Sequence, residues 1–250
     1  MQSVFKLPLA IAMIHSIEQG EFTLDQPVRF LPQDRFVPHE YSPLQDQYPE
    51  ANVDVPIREL LRLAVSLSDN AAADILLRIG GGPQEVDAYI ASLGIRGFHL
   101  QDSEHTMQRE IAAQYRDWFE PAGAVELLRR LNDRSPLSPE HTRLLFDWME
   151  AASLTHRLKG DLPESVRVFH KTGTSGVHKG LAPATNDIGL IELPDGKRLA
   201  IAVFVTDSRA DEATRERVIA EIGRAAFDAA LKVGAFRGSI EAKVKRFASL

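Results

Sequence analysis

From Ser3 to Glu18 apolar residues recur at helical spacing and on every side, which predicts a helix enclosed by a core rather than one lying on a surface. From Gln26 to Val55 no period holds and Pro, Asp, Gln and Tyr dominate, so this stretch reads as a long irregular connection of the kind that is functional or ordered by its surroundings. Ile57–Val65 predicts a helix, Asn70–Ile79 a second that stops at Gly80-Gly81-Gly82, and Pro83–Leu93 a third closed by Gly94. Gln101–Asp117 is polar, lacks an apolar stripe and reads as a surface loop. Pro121–Leu131 and Pro139–Ala151 follow as helices. Beyond Leu158 the pattern changes to short β-rich runs, Val166–Thr172, Asp187–Leu193 and Leu199–Thr206. The last two are joined by Pro194-Asp195-Gly196-Lys197, a hairpin signal. Glu212–Val233 closes the pattern as an amphipathic helix, and there is no internal repeat. The order predicts an α/β (α+β) architecture, with a mainly helical part over residues 1–153 and a sheet-and-helix part over 154–250.

Composition narrows the function classes. The 250 residues are 44% hydrophobic and 26% charged, enough for a sizeable core in one large domain or two modest ones. A net charge of -6 argues against a nucleic-acid partner, which would need a basic face. No apolar run approaches the roughly 20 residues that cross a bilayer, so no membrane partner is expected. The absence of cysteine removes disulfides, thiolate catalysis and zinc–thiolate sites, but leaves the compartment open. Lys6 followed by Leu7–Ile14 imitates a leader peptide, yet His15–Gly20 lacks a small-residue cleavage site, and a buried helix is the better reading.

Three short motifs carry chemistry. In Ser3-Val4-Phe5-Lys6 a serine and a lysine three residues apart share one helix face, so the ammonium can approach the hydroxyl. The free N–H groups at the start of that helix favour a nearby oxyanion, and a buried lysine with a lowered pKa can accept the serine proton. About one Ser-x-x-Lys is expected by chance in a chain of this length. Ser68-Asp69-Asn70, at the join of two helices, reads equally well as an N-cap cluster. Lys171-Thr172-Gly173-Thr174-Ser175-Gly176 ends a strand, and an edge strand entering a Gly turn explains its glycines but not its lysine. The trio in this order arises by chance on the order of once in several hundred chains.

That trio is the signature of class A β-lactamases and penicillin-binding proteins. The chain resembles the class A β-lactamases, in the branch containing the PER and VEB extended-spectrum enzymes. MQSVFKLPLAIA, SLSDNAA, HKTGTSG and NDIGLIELPDGKRLAIAVFVTDS carry the likeness, which runs from Met1 to about Val233. It implies a β-lactamase/transpeptidase-like fold, an antiparallel sheet flanked by helices plus an all-helical subdomain. It also implies a serine hydrolase of penicillins and cephalosporins that confers antibiotic resistance, with Ser3 as nucleophile. Lys6 and Glu104 would share acylation, and Glu104 alone would activate the deacylating water; which of the two takes the serine proton is disputed in the family. Ser68 would relay a proton to the β-lactam nitrogen, and Asn70 would bond the substrate's side-chain amide. Lys171, Thr172, Gly173 and Thr174 would hold the substrate carboxylate, with backbone N–H groups of Ser3 and Thr174 as the oxyanion hole. Asp69 would be structural. Arg157 matches an arginine that supports the carboxylate site in some members, and reads otherwise as an exposed arginine. The resemblance further implies a monomer, periplasmic or secreted, with a small-molecule β-lactam as partner, no cofactor and no metal.

The pattern departs from the family in three places. Gln108 stands four residues after Glu104 where most members have Asn, so it would hold the water on a longer stem. Asp102 and Asp117 stand where most members have a bridging Arg and Asp, so they are expected to repel, leaving Tyr115 and Trp118 to hold the loop by packing. The chain starts two residues before Ser3, whereas family members carry a signal peptide, a helix and two strands there; this points to a truncated product. The tail Gly238–Leu250 is expected to lie beyond the last helix and could replace the missing one. The rival readings are a penicillin-binding protein or β-lactam sensor that acylates without fast turnover, and an inactive fragment; Glu104 separates the first of these from a hydrolase.

Overall fold

The computed structural model describes residues 1–133, 135–154 and 156–248. A 3-10 turn, Gln2–Phe5, runs straight into helix α1 (Lys6–Glu18), whose first residues from Lys6 to Ile11 are all buried. Enclosure on every side matches its lack of a polar face. Strands β1 (Pro27–Phe30) and β2 (Val53–Pro56) pair antiparallel and bracket the long connection. That connection is less irregular than its composition suggests, for it holds a second 3-10 turn, Pro32–Asp34, and the short helix α2 (Pro43–Gln47), capped by the Ser42 hydroxyl. Helices α3 (Ile57–Ser66), α4 (Asn70–Ile79) and α5 (Pro83–Ser92) follow within a residue or so of their predicted bounds. So do α7 (Pro121–Asp133) and α8 (Pro139–Glu150), after two-residue strands β3 (Phe98–His99) and β4 (Trp118–Phe119) and the short helix α6 (Glu104–Arg109). The part predicted to be mainly helical thus also carries two small antiparallel ribbons.

Three antiparallel strands, β5 (Val168–Thr174), β6 (Ala182–Glu192) and β7 (Arg198–Ser208), form a sheet in the order β5-β6-β7. The predicted hairpin joins β6 to β7, with the Leu193 N–H donating to Lys197 O at 2.8 Å and Gly196 at a positive φ of 78°. Side chains alternate along these strands. Phe169, Ile188 and Leu190 join α1, α3 and α4 in the larger core, whereas Val168, Ile191, Ile201 and Val203 meet Leu158, Ile219 and Phe227 on the opposite face. Two buried faces explain why β6 shows no polar alternation from Ala182 to Ile191. Each buried Leu, Ile or Phe contributes about 1.5–3 kcal/mol, so the sheet is fixed from both sides. The last helix, α9 (Glu212–Ala248), outruns its predicted end at Val233 and takes in the tail from Gly238 to Ala248, whose last two residues, 249 and 250, lie outside the described residues.

The polar segment 101–117 departs most from expectation. It is no unstructured surface loop but contains α6 and a 3-10 turn, Ile111–Tyr115. Elements this short never develop an apolar period, so the pattern could not show them. Nor do the two aspartates repel each other apart, or the aromatics hold the segment. Arg116 closes it, donating to Asp102 from Nε (2.7 Å) and Nη2 (3.0 Å), and Asp117 Oδ1 accepts the backbone N–H groups of Gln101 (2.8 Å) and Asp102 (3.1 Å). Tyr115 and Trp118 remain 52% and 44% exposed. The basic partner was there in the sequence, next to Asp117.

Burial pushes the Asp117 carboxyl up from 3.8 to about 6. A carboxyl raised on folding stabilises the fold while protonated, and that contribution is lost as pH rises through about 6. In urea unfolding, Asp117→Asn should therefore gain on the wild type between about pH 4 and pH 7; the wild type gaining on the variant would contradict this. Asp117→Ala orphans two N–H groups and should cost about 1–3 kcal/mol for each.

Candidate active site

The 3-10 turn sets Ser3 at the floor of a cleft of about 240 Å³, whose wall includes Phe36, Glu40, Asn70, Glu104, Gln108 and Thr174, and the first turn of α1 buries Lys6 behind it. Lys6 is wholly buried, and an ammonium taken out of water must find acceptors for its N–H groups. It has three: Ser68 O at 2.7 Å, Asn70 Oδ1 at 2.5 Å and Glu104 Oε1 at 3.0 Å. The Ser3 hydroxyl donates to the same Glu104 oxygen at 3.3 Å. The serine and lysine thus meet through Glu104, not through the direct contact that their spacing suggests.

The turn between α3 and α4 supplies the opposite wall. Ser68 takes a positive φ of 59°, an uncommon state for a residue with a side chain, of the kind found where a site demands it. Asp69 caps α4 through Ala72 N (2.8 Å) and accepts Ser42 Oγ (2.9 Å) and Leu44 N (2.6 Å), which ties α2 to the turn and fits the structural role expected of it. The capping reading of the cluster thus holds for Asp69, while the Ser68 hydroxyl accepts from Lys171 and the Asn70 carbonyl from Lys6.

Strand β5 brings the third group. Lys171 Nζ donates to Ser68 Oγ at 2.8 Å and to Thr172 O at 2.9 Å. Burial first, and the neighbouring Lys6 charge second, hold its ammonium well below the usual lysine range. Gly173 offers no side chain, and it is where β5 presses on the nucleophile turn: a Cβ there would lie 2.6 Å from Met1 O and 3.1 Å from Val4 Cγ2. Thr172 is buried and takes part through its carbonyl. The Ser175 N–H donates to Ala184 O across the sheet, so alternation turns the Thr174 N–H to the free edge of β5, beside the nucleophile turn. Arg157 is no exposed arginine: it is 1% exposed and donates to Thr174 Oγ1 (2.7 Å), Gly173 O (3.0 Å) and Asn186 O (2.9 Å), with Glu216 3.3 Å away.

Glu104 opens α6, is 8% exposed and reaches both Ser3 and Lys6; one predicted site residue sits differently from expectation. Gln108 reaches the cleft, but its amide nitrogen is committed to Pro38 O (3.0 Å) and Glu40 Oε1 (3.4 Å), leaving only its carbonyl oxygen for a water. Sequence reasoning missed Asp74, which caps α6 by accepting the Glu104 N–H and the His105 N–H, each at 2.9 Å. A signal existed, since Asp74 follows Asn70 by one helical turn and so shares its face of α4. Among the described residues no group of three or more His, Cys, Asp or Glu is placed to hold a metal ion, and no helix is long and apolar enough to cross a membrane.

Residues 1–230 match the Beta-lactamase enzyme family. The Extended-spectrum beta-lactamase PER-1 of Pseudomonas aeruginosa is 40% identical over 233 residues, covering 93% of this chain and 75% of that protein. Beta-lactamase VEB-1 of the same organism is 34% identical over 227 residues, 90% of this chain and 75% of its own. Among solved structures, a beta-lactamase from Chitinophaga pinensis superposes with a TM-score of 0.89 at 40% identity, over 92% of this chain and 85% of that one. The TLA-1 extended spectrum Beta-lactamase superposes at 0.88 with 38% identity, over 91% and 83%. Family match, identity and fold agree with the Ser3, Ser68 and Lys171 motifs, and the chain belongs to the β-lactamase enzyme family as a class A serine β-lactamase.

Proposed function

We propose that the chain hydrolyses penicillins and cephalosporins, extended-spectrum ones included, through an ester on Ser3, in a cleft between a helical part (1–153) and a sheet-and-helix part (154–250). The supporting observation is the single Glu104 oxygen placed 3.3 Å from the Ser3 hydroxyl and 3.0 Å from the Lys6 ammonium. In acylation Ser3 Oγ bonds to the lactam carbonyl carbon and gives its proton to Glu104. Lys6, with all three N–H groups engaged, orients Glu104 and offsets its charge. As the lactam C–N bond breaks, the nitrogen takes a proton from Ser68, which Lys171 resupplies; a lysine held below its usual range gives up its proton the more readily. Backbone N–H groups of Ser3 and Thr174 stabilise the oxyanion, by about 3 kcal/mol for each donor.

Glu104 returns its proton to this chain of groups and then takes one from water, whose oxygen bonds to the ester carbonyl carbon; as the bond from that carbon to Ser3 Oγ breaks, Glu104 hands the proton to Oγ and the serine is restored. Asn70, its carbonyl held by Lys6, has its NH₂ free for the substrate's side-chain amide. Thr174 accepts from Arg157, so its own O–H is free for the substrate carboxylate on the β5 edge of Lys171 to Thr174. Gln108 contributes its carbonyl oxygen to the water's surroundings. The site needs no cofactor, and the protein acts as an exported monomer on a small-molecule β-lactam.

A penicillin-binding protein or sensor would acylate without this deacylating step. Incubation with a penicillin, followed by intact mass, should show a transient adduct on the wild type and a persistent one on Glu104→Ala and Glu104→Gln, with turnover lower by about 10³-fold. An adduct lasting as long on the wild type as on these variants would end the hydrolase reading. For the carboxylate site, Thr174→Val should lower kcat/KM about 10–100-fold through KM, and Thr174→Ser should restore most of it.

A further inference from the structure

We infer that His105, as an imidazolium clamped between the Asp74 carboxylate and the Arg35 carbonyl, is a positioning residue for Glu104 and gives deacylation an upper pH limit. The inference rests on Glu104 being the deacylating base. The ring's Nδ1 lies 2.6 Å from Asp74 Oδ2 and its Nε2 lies 3.2 Å from Arg35 O, while its face stacks on Phe36 with centroids 4.0 Å apart. Both partners are acceptors: a carbonyl cannot donate, and the Asp74 carboxylate already receives two backbone N–H groups. A neutral imidazole carries one N–H, so only the protonated ring satisfies both contacts.

The same clamp holds the catalytic carboxylate's backbone. Asp74 Oδ1 takes the Glu104 N–H, and Oδ2 takes both the His105 N–H and the ring. Deprotonation turns a lone pair on one ring nitrogen toward an acceptor. The ring must then leave either Asp74, which fixes the Glu104 N–H, or the Arg35–Phe36 segment, whose Phe36 walls the cleft. Displacements of about 1 Å at a reacting group cost on the order of 100-fold in rate.

The charged groups around the ring are Asp74 on α4, Glu104 and Arg109 on α6, and the Asp34–Arg78 pair across the surface hollow that His105 borders. The hydrogen bond to Asp74 leads and holds the imidazolium above the usual histidine range, with partial burial and Arg109 opposing it. A pKa raised by this partner means that the contact is present at low pH and lost as pH rises through the raised value.

Nitrogen-15 NMR of the full chain should show both His105 ring nitrogens protonated at neutral pH. Deacylation, followed by intact mass after a penicillin pulse, should fall about tenfold or more on the alkaline side in the wild type. His105→Gln, whose amide does not titrate, should lower the plateau and abolish that limb, and Asp74→Asn should move it to lower pH. A singly protonated ring at neutral pH, or an unchanged limb in His105→Gln, would overturn the inference while leaving Glu104's role intact. An adduct equally persistent on the wild type and Glu104→Ala at every pH would instead remove the reading on which it rests.

Discussion

A wholly buried ammonium organises this molecule. Lys6 sits inside a helix that is apolar on all sides, and no water reaches it. Such a charge is tolerable only if acceptors replace its hydration shell. It recruits one from the α3–α4 turn, one from α4 and one from the head of α6, elements remote from it along the chain. Satisfying one cation therefore fixes the relative positions of the nucleophile turn, the Ser-Asp-Asn turn and the glutamate. Removing a single partner of a buried ion pair commonly costs about 3–5 kcal/mol, which makes the arrangement stiff as well as specific.

The second wall is fixed differently. Strand β5 is at the sheet edge, yet its position against the nucleophile turn is set by the absence of a Cβ at Gly173 and by apolar burial on both faces of the sheet. The first gives close approach and the second gives rigidity. Together they turn the edge N–H of Thr174 and the hydroxyl of a threonine already bonded to Arg157 toward one opening. A buried Arg157 spanning two strand carbonyls and Thr174 holds that edge in a fixed geometry, not as a loose strand end.

Much of this was legible in the chain. Helices α1, α3, α4, α5, α7 and α8 have apolar patterns long enough to be counted, and the Ser3 and Ser68 motifs lie on or beside such helices, the Lys171 motif on strand β5. What escaped had no period to read. Arg116 is one basic residue in a polar run, and only the folded path shows that it reaches Asp102 rather than Asp117. Arg157 could be matched to a supporting arginine only by resemblance, because Gly173, Asn186 and Thr174 converge on it from separate places in the sequence. Asp74 lies on the polar stripe of α4 with Asn70 and Arg78, and its partners in α6 come into view only in the fold.

The loop that bears Glu104 has few apolar anchors, Met107 and Ala113 among them, and is held otherwise by Asp102 with Arg116, by Asp117 with two N–H groups and by Asp74 with His105. Apolar contacts are non-directional and tolerate sliding, whereas a carboxylate that must aim one oxygen at an ester needs fixed angles as well as distance. Polar tethers supply those angles. They also titrate: burial lifts Asp117 to about 6 and Asp74 lifts His105, so each contributes stability at low pH that is lost as pH rises. At low pH Asp117 is neutral and less demanding, while the imidazolium grips Asp74; at high pH the buried Asp117 charge is at its most costly and the grip is lost. Both changes loosen the loop in the same direction, toward alkali, and the precision of Glu104 is therefore coupled to pH through the residues that hold its backbone rather than through the carboxylate alone.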